Sequence, residues 1–173
     1  LIQINPDILR GYPSSISFLC DYLKKEEVAK LSNLKGIYTS SETLSAEERN
    51  KIEALFGKRL FNWYGMTEPA IIIKEGPSHN GMHMCLEYGY PELVDTETAS
   101  VKKLITTSFY NSVMPFIRYD TGDLIEVFDT KQADGKITLP LVKTVIGRKD
   151  DFIVGIKKEK LPSINFYTLF REF

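Results

Sequence analysis

The chain predicts an α/β fold in which a parallel βαβ subdomain is followed by a small antiparallel sheet or partial β-barrel. Three observations carry this. Residues 35–64 read as strand, helix, strand; from Ala70 onward the apolar period shortens to two; and Asp134-Gly135 is a tight-turn pair between apolar runs at 125–128 and 136–141.

Taken in order, Gly11-Tyr12-Pro13 marks a turn, after which Ser14 or Ser15 is placed to cap a helix with Ile16, Leu19, Cys20 and Leu23 on one face. Residues 24–30 extend it as a solvated end. A short strand is expected at 35–39. Ser45 and Glu48 then form a capping-box pair for a helix whose inner face is Ile52, Leu55 and Phe56 and whose stop is Gly57. Residues 60–64 are apolar and aromatic enough for a buried strand, and a right-handed crossover would lay it parallel to the strand at 35–39. Tyr64 to Glu68 then sits at the carboxyl end of that strand, where open α/β sheets bind ligands. Beyond Ala70, Met82, Met84, Leu86 and Tyr88 alternate with His83, Cys85 and Glu87 as in a half-buried strand. Further strands are expected at 103–108 and 116–119. These readings divide the chain at 1–69, 70–147 and 148–173.

With 22 Lys and Arg against 23 Asp and Glu, the net charge of −1 offers no basic footprint for nucleic acid. No apolar run approaches the roughly 20 residues of a membrane span, and no basic-then-apolar signal opens the chain. The expectation is a cytoplasmic protein with neither nucleic-acid nor membrane partner. Cys20 and Cys85 lack a paired spacing and read as buried free thiols. Because the first residue is Leu1 and not Met, the chain reads as a piece of a longer protein.

Three segments carry the chemistry: Asn62-Trp63-Tyr64-Gly65-Met66-Thr67-Glu68, Arg118-Tyr119-Asp120-Thr121-Gly122-Asp123-Leu124 and Gly147-Arg148-Lys149-Asp150-Asp151. Each sets a hydroxyl, a carboxylate or a guanidinium beside glycine or at the end of an apolar run. Singly, each has a plain alternative: a strand end with a polar turn, a strand exit with an Arg118–Asp120 pair, a charged turn. In this order they resemble the adenylate-forming superfamily, enzymes that join a carboxylic acid to AMP and pass the acyl group to a thiol or another acceptor. Within it they resemble the phenylacetate-CoA ligase group and its capsular-polysaccharide, CapK-like branch.

The resemblance implies that the chain is the C-terminal part of the large domain of such an enzyme. Thr67 would hydrogen-bond a phosphate, Glu68 would hold Mg2+, Tyr64 would lie against adenine, and Gly65 and Met66 would line the same turn. Asp123 would accept the ribose hydroxyls and Arg148 would contact the ribose. Asp150 would be a hinge for a small C-terminal domain. Arg118 is left between phosphate charge and a structural pair, and Tyr119 is assigned to packing. Ser41, Glu42 and Thr43 stand where relatives carry an adenine-lining Gly-Glu turn, with Ser41 in place of the usual glycine; a helix-capping turn is the alternative. His79, His83 and Cys85 fall where some relatives have Cys and His, implying a structural Zn2+ or else one face of a strand. Tyr12, Met66, Ile71 and Ile72 are acyl-pocket candidates, with core packing as the alternative.

Two features of the superfamily do not appear. No Ser/Thr/Gly-rich phosphate loop precedes Gly36, and Lys157, Lys158 and Lys160 follow the hinge too closely to be the lysine of the C-terminal domain. The expected function is therefore the nucleotide core of an AMP-forming ligase using ATP, Mg2+, a carboxylic acid and CoA or another acceptor, with a homodimer suggested by relatives. The alternatives are an acyl-protein synthetase and a noncatalytic module that keeps the fold.

Overall fold

The computed structural model describes residues 1–128, 141–148, 152–154 and 160–162, the last two groups as backbone strands. The N-terminal part alternates strand and helix: β1 (Ile8–Gly11), α1 (Pro13–Cys20), α2 (Lys25–Val28), β2 (Gly36–Ser40), α3 (Ala46–Phe56) and β3 (Leu60–Gly65). There follow β4 (Ile72–Glu75), β5 (Met82–Met84), β6 (Gly89–Asp95), β7 (Val101–Ser108), β8 (Tyr119–Glu126), β9 (Leu141–Val142), β10 (Thr144–Arg148), β11 (Phe152–Val154) and β12 (Lys160–Pro162).

The expected parallel pair is present, with Ile37 opposite Leu60 and Ser40 opposite Trp63. It belongs to a larger mixed sheet ordered β1-β2-β3-β4-β5-β9, in which β1 is a further parallel strand and β4, β5 and β9 run antiparallel. The boundary expected at 69/70 thus falls inside one sheet. A second, antiparallel sheet is ordered β10-β8-β7-β6. The two sheets meet closely at Gly89, where a Cβ would stand 1.8 Å from the Ala70 carbonyl oxygen, and that oxygen also accepts the Thr106 hydroxyl at 2.7 Å. Only glycine admits this approach.

The apolar side chains form two cores. Ile16, Val28, Leu34, Ile37, Ile52, Phe56 and Leu60 bury the helices against β2 and β3, whereas Ile71, Ile73, Met84, Leu104, Ile125 and Val142 fill the space between the two sheets. Fully burying side chains of this size stabilises by roughly 1.5–3 kcal/mol each before entropy is counted. α3 is built as its sequence indicates: Ser45 Oγ accepts the Glu48 amide at 3.1 Å, the Glu48 carboxylate accepts the Ser45 amide, and Gly57 closes the helix at φ 60°.

Four local expectations are corrected. α1 starts at Pro13 with Tyr12 as its N-cap and no capping side chain from Ser14 or Ser15; proline supplies the first helical φ, and the Ser14 amide donates to Glu42 Oε2 at 3.1 Å. It also ends at Cys20, so residues 25–28 form the separate turn α2 with its own Lys24–Glu27 cap. β5 stops just after Met84 because the Cys85 carbonyl accepts the Tyr88 amide in a turn, leaving Leu86 exposed. No strand forms at 116–118. β8 begins at Tyr119 and carries Thr121-Gly122-Asp123 within it, because a left-handed corner at Arg118, φ 48°, separates it from the preceding loop. The turn at Asp134-Gly135 lies outside the described residues.

Candidate functional site

A crevice of about 490 Å3 opens at the carboxyl ends of β2 and β3 and is walled by β8 and β10. That volume is within the range of roughly 300–1,000 Å3 common for small-molecule sites. The turn after β2 contributes Ser41, Glu42 and Thr43; the end of β3 and its turn contribute Tyr64, Gly65, Met66, Thr67 and Glu68; β8 contributes Asp123 and β10 contributes Arg148. All the residues expected to meet nucleotide or phosphate therefore border one cavity, although more than a hundred positions of sequence separate the first from the last. Asp150 lies outside the described residues.

The two carboxylates at the centre each accept a tyrosine hydroxyl. Tyr64 donates to Asp123 Oδ2 at 2.5 Å, and Tyr119 donates to Glu68 Oε1 at 3.1 Å. Asp123 is only 9% exposed, and its amide donates to Thr121 Oγ1, whose own hydroxyl donates to the Leu104 carbonyl at 3.0 Å. The charge on Asp123 is thus embedded in a hydrogen-bonded chain anchored on β7. Burial, followed by the bond to Asp123, pushes the Tyr64 phenol far above its ordinary value; the bond to Glu68 is the main cause raising that of Tyr119. Both phenols remain donors throughout the physiological range.

Backbone geometry shapes the rim. Ser41 adopts φ 70°, in the left-handed region that favours glycine. Gly147, at φ 115°, sits at the bulge between Val145 and Gly147 in the β8–β10 ladder and brings β10 close to the Thr43 hydroxyl. Gly65 is needed for a neighbour inside the protein: a Cβ there would meet the Trp63 ring at 2.6 Å. That ring in turn carries the Arg10 guanidinium 5.2 Å above it.

Other assignments shift. Arg118 pairs with Glu92 at 3.1 Å, while Asp120 takes Lys103, so the expected Arg118–Asp120 pair is replaced and Arg118 does not border the crevice. Tyr119, assigned to packing from sequence, lines the crevice. The signal was present in the period of two: Tyr119, Thr121 and Asp123 alternate along β8 and border the same crevice, but starting the strand three residues early obscured it. Asn62, Trp63, Val145 and Ile146 also border the cavity and were not anticipated. Of the acyl-pocket candidates only Met66 does so; Ile71 is fully buried in the core.

The zinc expectation fails on geometry, since no group of three or more His, Cys, Asp or Glu converges as ligands among the described residues. His79 packs its ring on Phe61 at 4.5 Å with Nδ1 3.7 Å from Glu75, and Cys85 lies one residue past the end of the strand that carries His83. Burial raises the Cys85 thiol above its usual value, and both cysteines are free. Around the crevice the donors are hydroxyls and carboxylates of Thr43, Thr67, Glu68 and Asp123, a hard oxygen set that suits Mg2+ and not a soft metal.

No family model matches the chain. CapK of Staphylococcus aureus is 26% identical over 171 residues, covering 99% of this chain and 38% of that protein. Phenylacetate-coenzyme A ligase of Thermus thermophilus is 26% identical over 165 residues, covering 89% of this chain and 37% of that protein. The chain therefore spans somewhat more than a third of the length of these relatives. Among solved structures, 2-hydroxyisobutyryl-CoA ligase in complex with 2-HIB-AMP superimposes with a TM-score of 0.75 at 21% identity, over 99% of this chain and 38% of that one. The anthranilate CoA ligase AuaEII in complex with anthranoyl-AMP gives 0.62 at 19% identity, over 87% and 31%.

Proposed function

We propose that the chain is a member of the adenylate-forming superfamily, similar to CapK and phenylacetate-CoA ligase, and that it is the nucleotide-binding core of an ATP-dependent, AMP-forming carboxylate ligase. The observation that carries this is the convergence of Tyr64, Thr67, Glu68, Asp123 and Arg148 on one crevice from three separated segments. Asp123, held by Tyr64 and backed by Thr121, accepts the ribose hydroxyls; the Tyr64 ring offers its face to adenine; Arg148 contacts the sugar from β10. Thr67, exposed at the turn, donates to the α-phosphate, and Glu68 is the residue that would hold Mg2+, whose chemistry is to offset phosphate charge.

In the reaction a carboxylate oxygen of the acid attacks the α-phosphorus, a C–O–P linkage forms, and the bond to the β-phosphate breaks to release pyrophosphate. The hydroxyl of Thr67 stabilises negative charge on the α-phosphate oxygens as it builds. A thiol, with CoA the proposed acceptor, then attacks the acyl carbonyl and AMP leaves. Asp150 is proposed as the hinge between the two steps.

Calorimetric titration with AMP and ATP tests the binding half: measurable affinity, lost in Asp123→Asn and Arg148→Ala, is expected. Acid-dependent ATP–pyrophosphate exchange in the longer protein, abolished by Glu68→Gln, tests the chemistry. Absence of both nucleotide binding and exchange with any acid would leave a noncatalytic module as the better description.

A further inference from the structure

We propose that Tyr119 is a metal-selectivity residue, its hydroxyl engaging Glu68 Oε1 so that this carboxylate offers a cation one oxygen and favours magnesium over calcium. The inference rests on Glu68 being the cation ligand of the ligase proposed above. Among the described residues, no hydrogen bond or ion pair reaches Oε2 of Glu68.

Three features aim Tyr119 at this carboxylate. The corner immediately before it, at Arg118, has φ 48°, a conformation that L side chains rarely adopt and that persists only when its surroundings hold it. They do: the Arg118 amide donates to Thr107 Oγ1 at 3.0 Å and its guanidinium Nε to Glu92 Oε2 at 3.1 Å. Next, the Phe116 ring stands edge-on to the Tyr119 ring, 4.8 Å away at 64°. Finally, Tyr119 is in register with Thr106 on β7 and borders the same crevice as Thr121 and Asp123. The Arg-Tyr half of the second sequence segment, for which the nucleotide scheme has no use, thereby acquires a role as the mount for a hydroxyl.

The chemistry follows from ion size. Calcium accepts six to eight oxygens at about 2.3–2.6 Å and takes carboxylates in one- or two-oxygen mode, whereas magnesium demands near-ideal octahedral geometry at about 2.0–2.1 Å and is commonly held by one or two carboxylates plus phosphates. A carboxylate with one oxygen occupied by a phenol is suited to the second case. Without the hydroxyl, both oxygens become available, which benefits the larger ion more.

The test is calorimetric titration of Mg2+ and of Ca2+ into the chain saturated with ATP, corrected for binding of each ion to free ATP, with no acid present. Glu68→Gln is expected to weaken both ions. Tyr119→Phe is expected to move the calcium-to-magnesium affinity ratio toward calcium by about tenfold, the scale of one hydrogen bond to a charged group. Phe116→Leu, which keeps the hydroxyl but loosens the ring, is expected to move it in the same direction by less. Circular dichroism of the three variants without ATP or metal reports on folding and is expected to match that of the wild type. An unchanged ratio in Tyr119→Phe, with Glu68→Gln weakened, overturns the selectivity role and leaves the ligase reading standing. Unaltered metal binding in Glu68→Gln overturns both.

Discussion

Replacing Tyr64 by phenylalanine keeps the ring that faces the crevice and removes only the hydroxyl on Asp123, so it isolates the bond that joins the first motif to the second. That bond is 2.5 Å long, and its acceptor is an aspartate 9% exposed. A hydrogen bond to a charged group contributes about 1.5–3 kcal/mol, and the partner left behind is a largely desolvated carboxylate. Asp123 keeps further partners, which favours the lower half of that range, about 2 kcal/mol. In a domain of this size each kcal/mol moves the melting temperature by roughly 2–4 °C, so Tyr64→Phe should melt about 4–8 °C lower. Asp123→Asn retains an acceptor oxygen for Tyr64 and should lose less. The double variant closes a cycle whose coupling energy is expected at about 1–2 kcal/mol. The assay is thermal and urea unfolding of all four proteins. Coupling indistinguishable from zero, with Tyr64→Phe melting alongside the wild type, would refute the claim that this bond locks β3 to β8.

Three other outcomes are expected. The raised Tyr64 phenol keeps its proton where the unfolded chain has lost it, so its stabilising contribution is intact below about pH 10 and is lost as pH climbs through the folded value; phenolate absorbance in an alkaline titration should show one tyrosine ionising only with unfolding, and Tyr64→Phe should remove that component. Ser41→Gly relieves a left-handed serine, worth about 1–2 kcal/mol, against an unfolded-chain entropy cost of about 0.5–1 kcal/mol, and the melting temperature should rise by about 2 °C. Glu75 accepts Arg49 at 2.5 Å and the Asn62 amide at 2.8 Å, tying α3, β3 and β4 together; Glu75→Ala should cost about 3 kcal/mol by urea unfolding, and Glu75→Gln, which keeps one acceptor, distinctly less.

Some elements were readable because their determinants are local. The Ser45–Glu48 box, the apolar face of α3 and the stop at Gly57 are neighbours in sequence, and the structure places them as their spacing indicates. The pairing of β2 with β3 followed from the crossover rule. What failed was also local in appearance but decided at a distance. The Ser14 amide is taken by Glu42, far along the chain, and Arg118 pairs with Glu92 on β6 and not with its near neighbour Asp120. The grouping of His79, His83 and Cys85 looked like a ligand set only because sequence proximity does not state which way a strand end points.

The sequence could name Tyr64, Thr67, Glu68, Asp123 and Arg148 because motif chemistry is a matter of residue type and short spacing. It could not place Tyr119 beside Glu68 or Tyr64 beside Asp123. Those contacts cross from one sheet to the other, and they depend on where β8 begins, which the φ 48° corner at Arg118 sets, and on a seam between sheets that exists because Gly89 has no Cβ. Periodicity along a chain reports which side of an element is apolar; it carries no information about what another sheet brings against it.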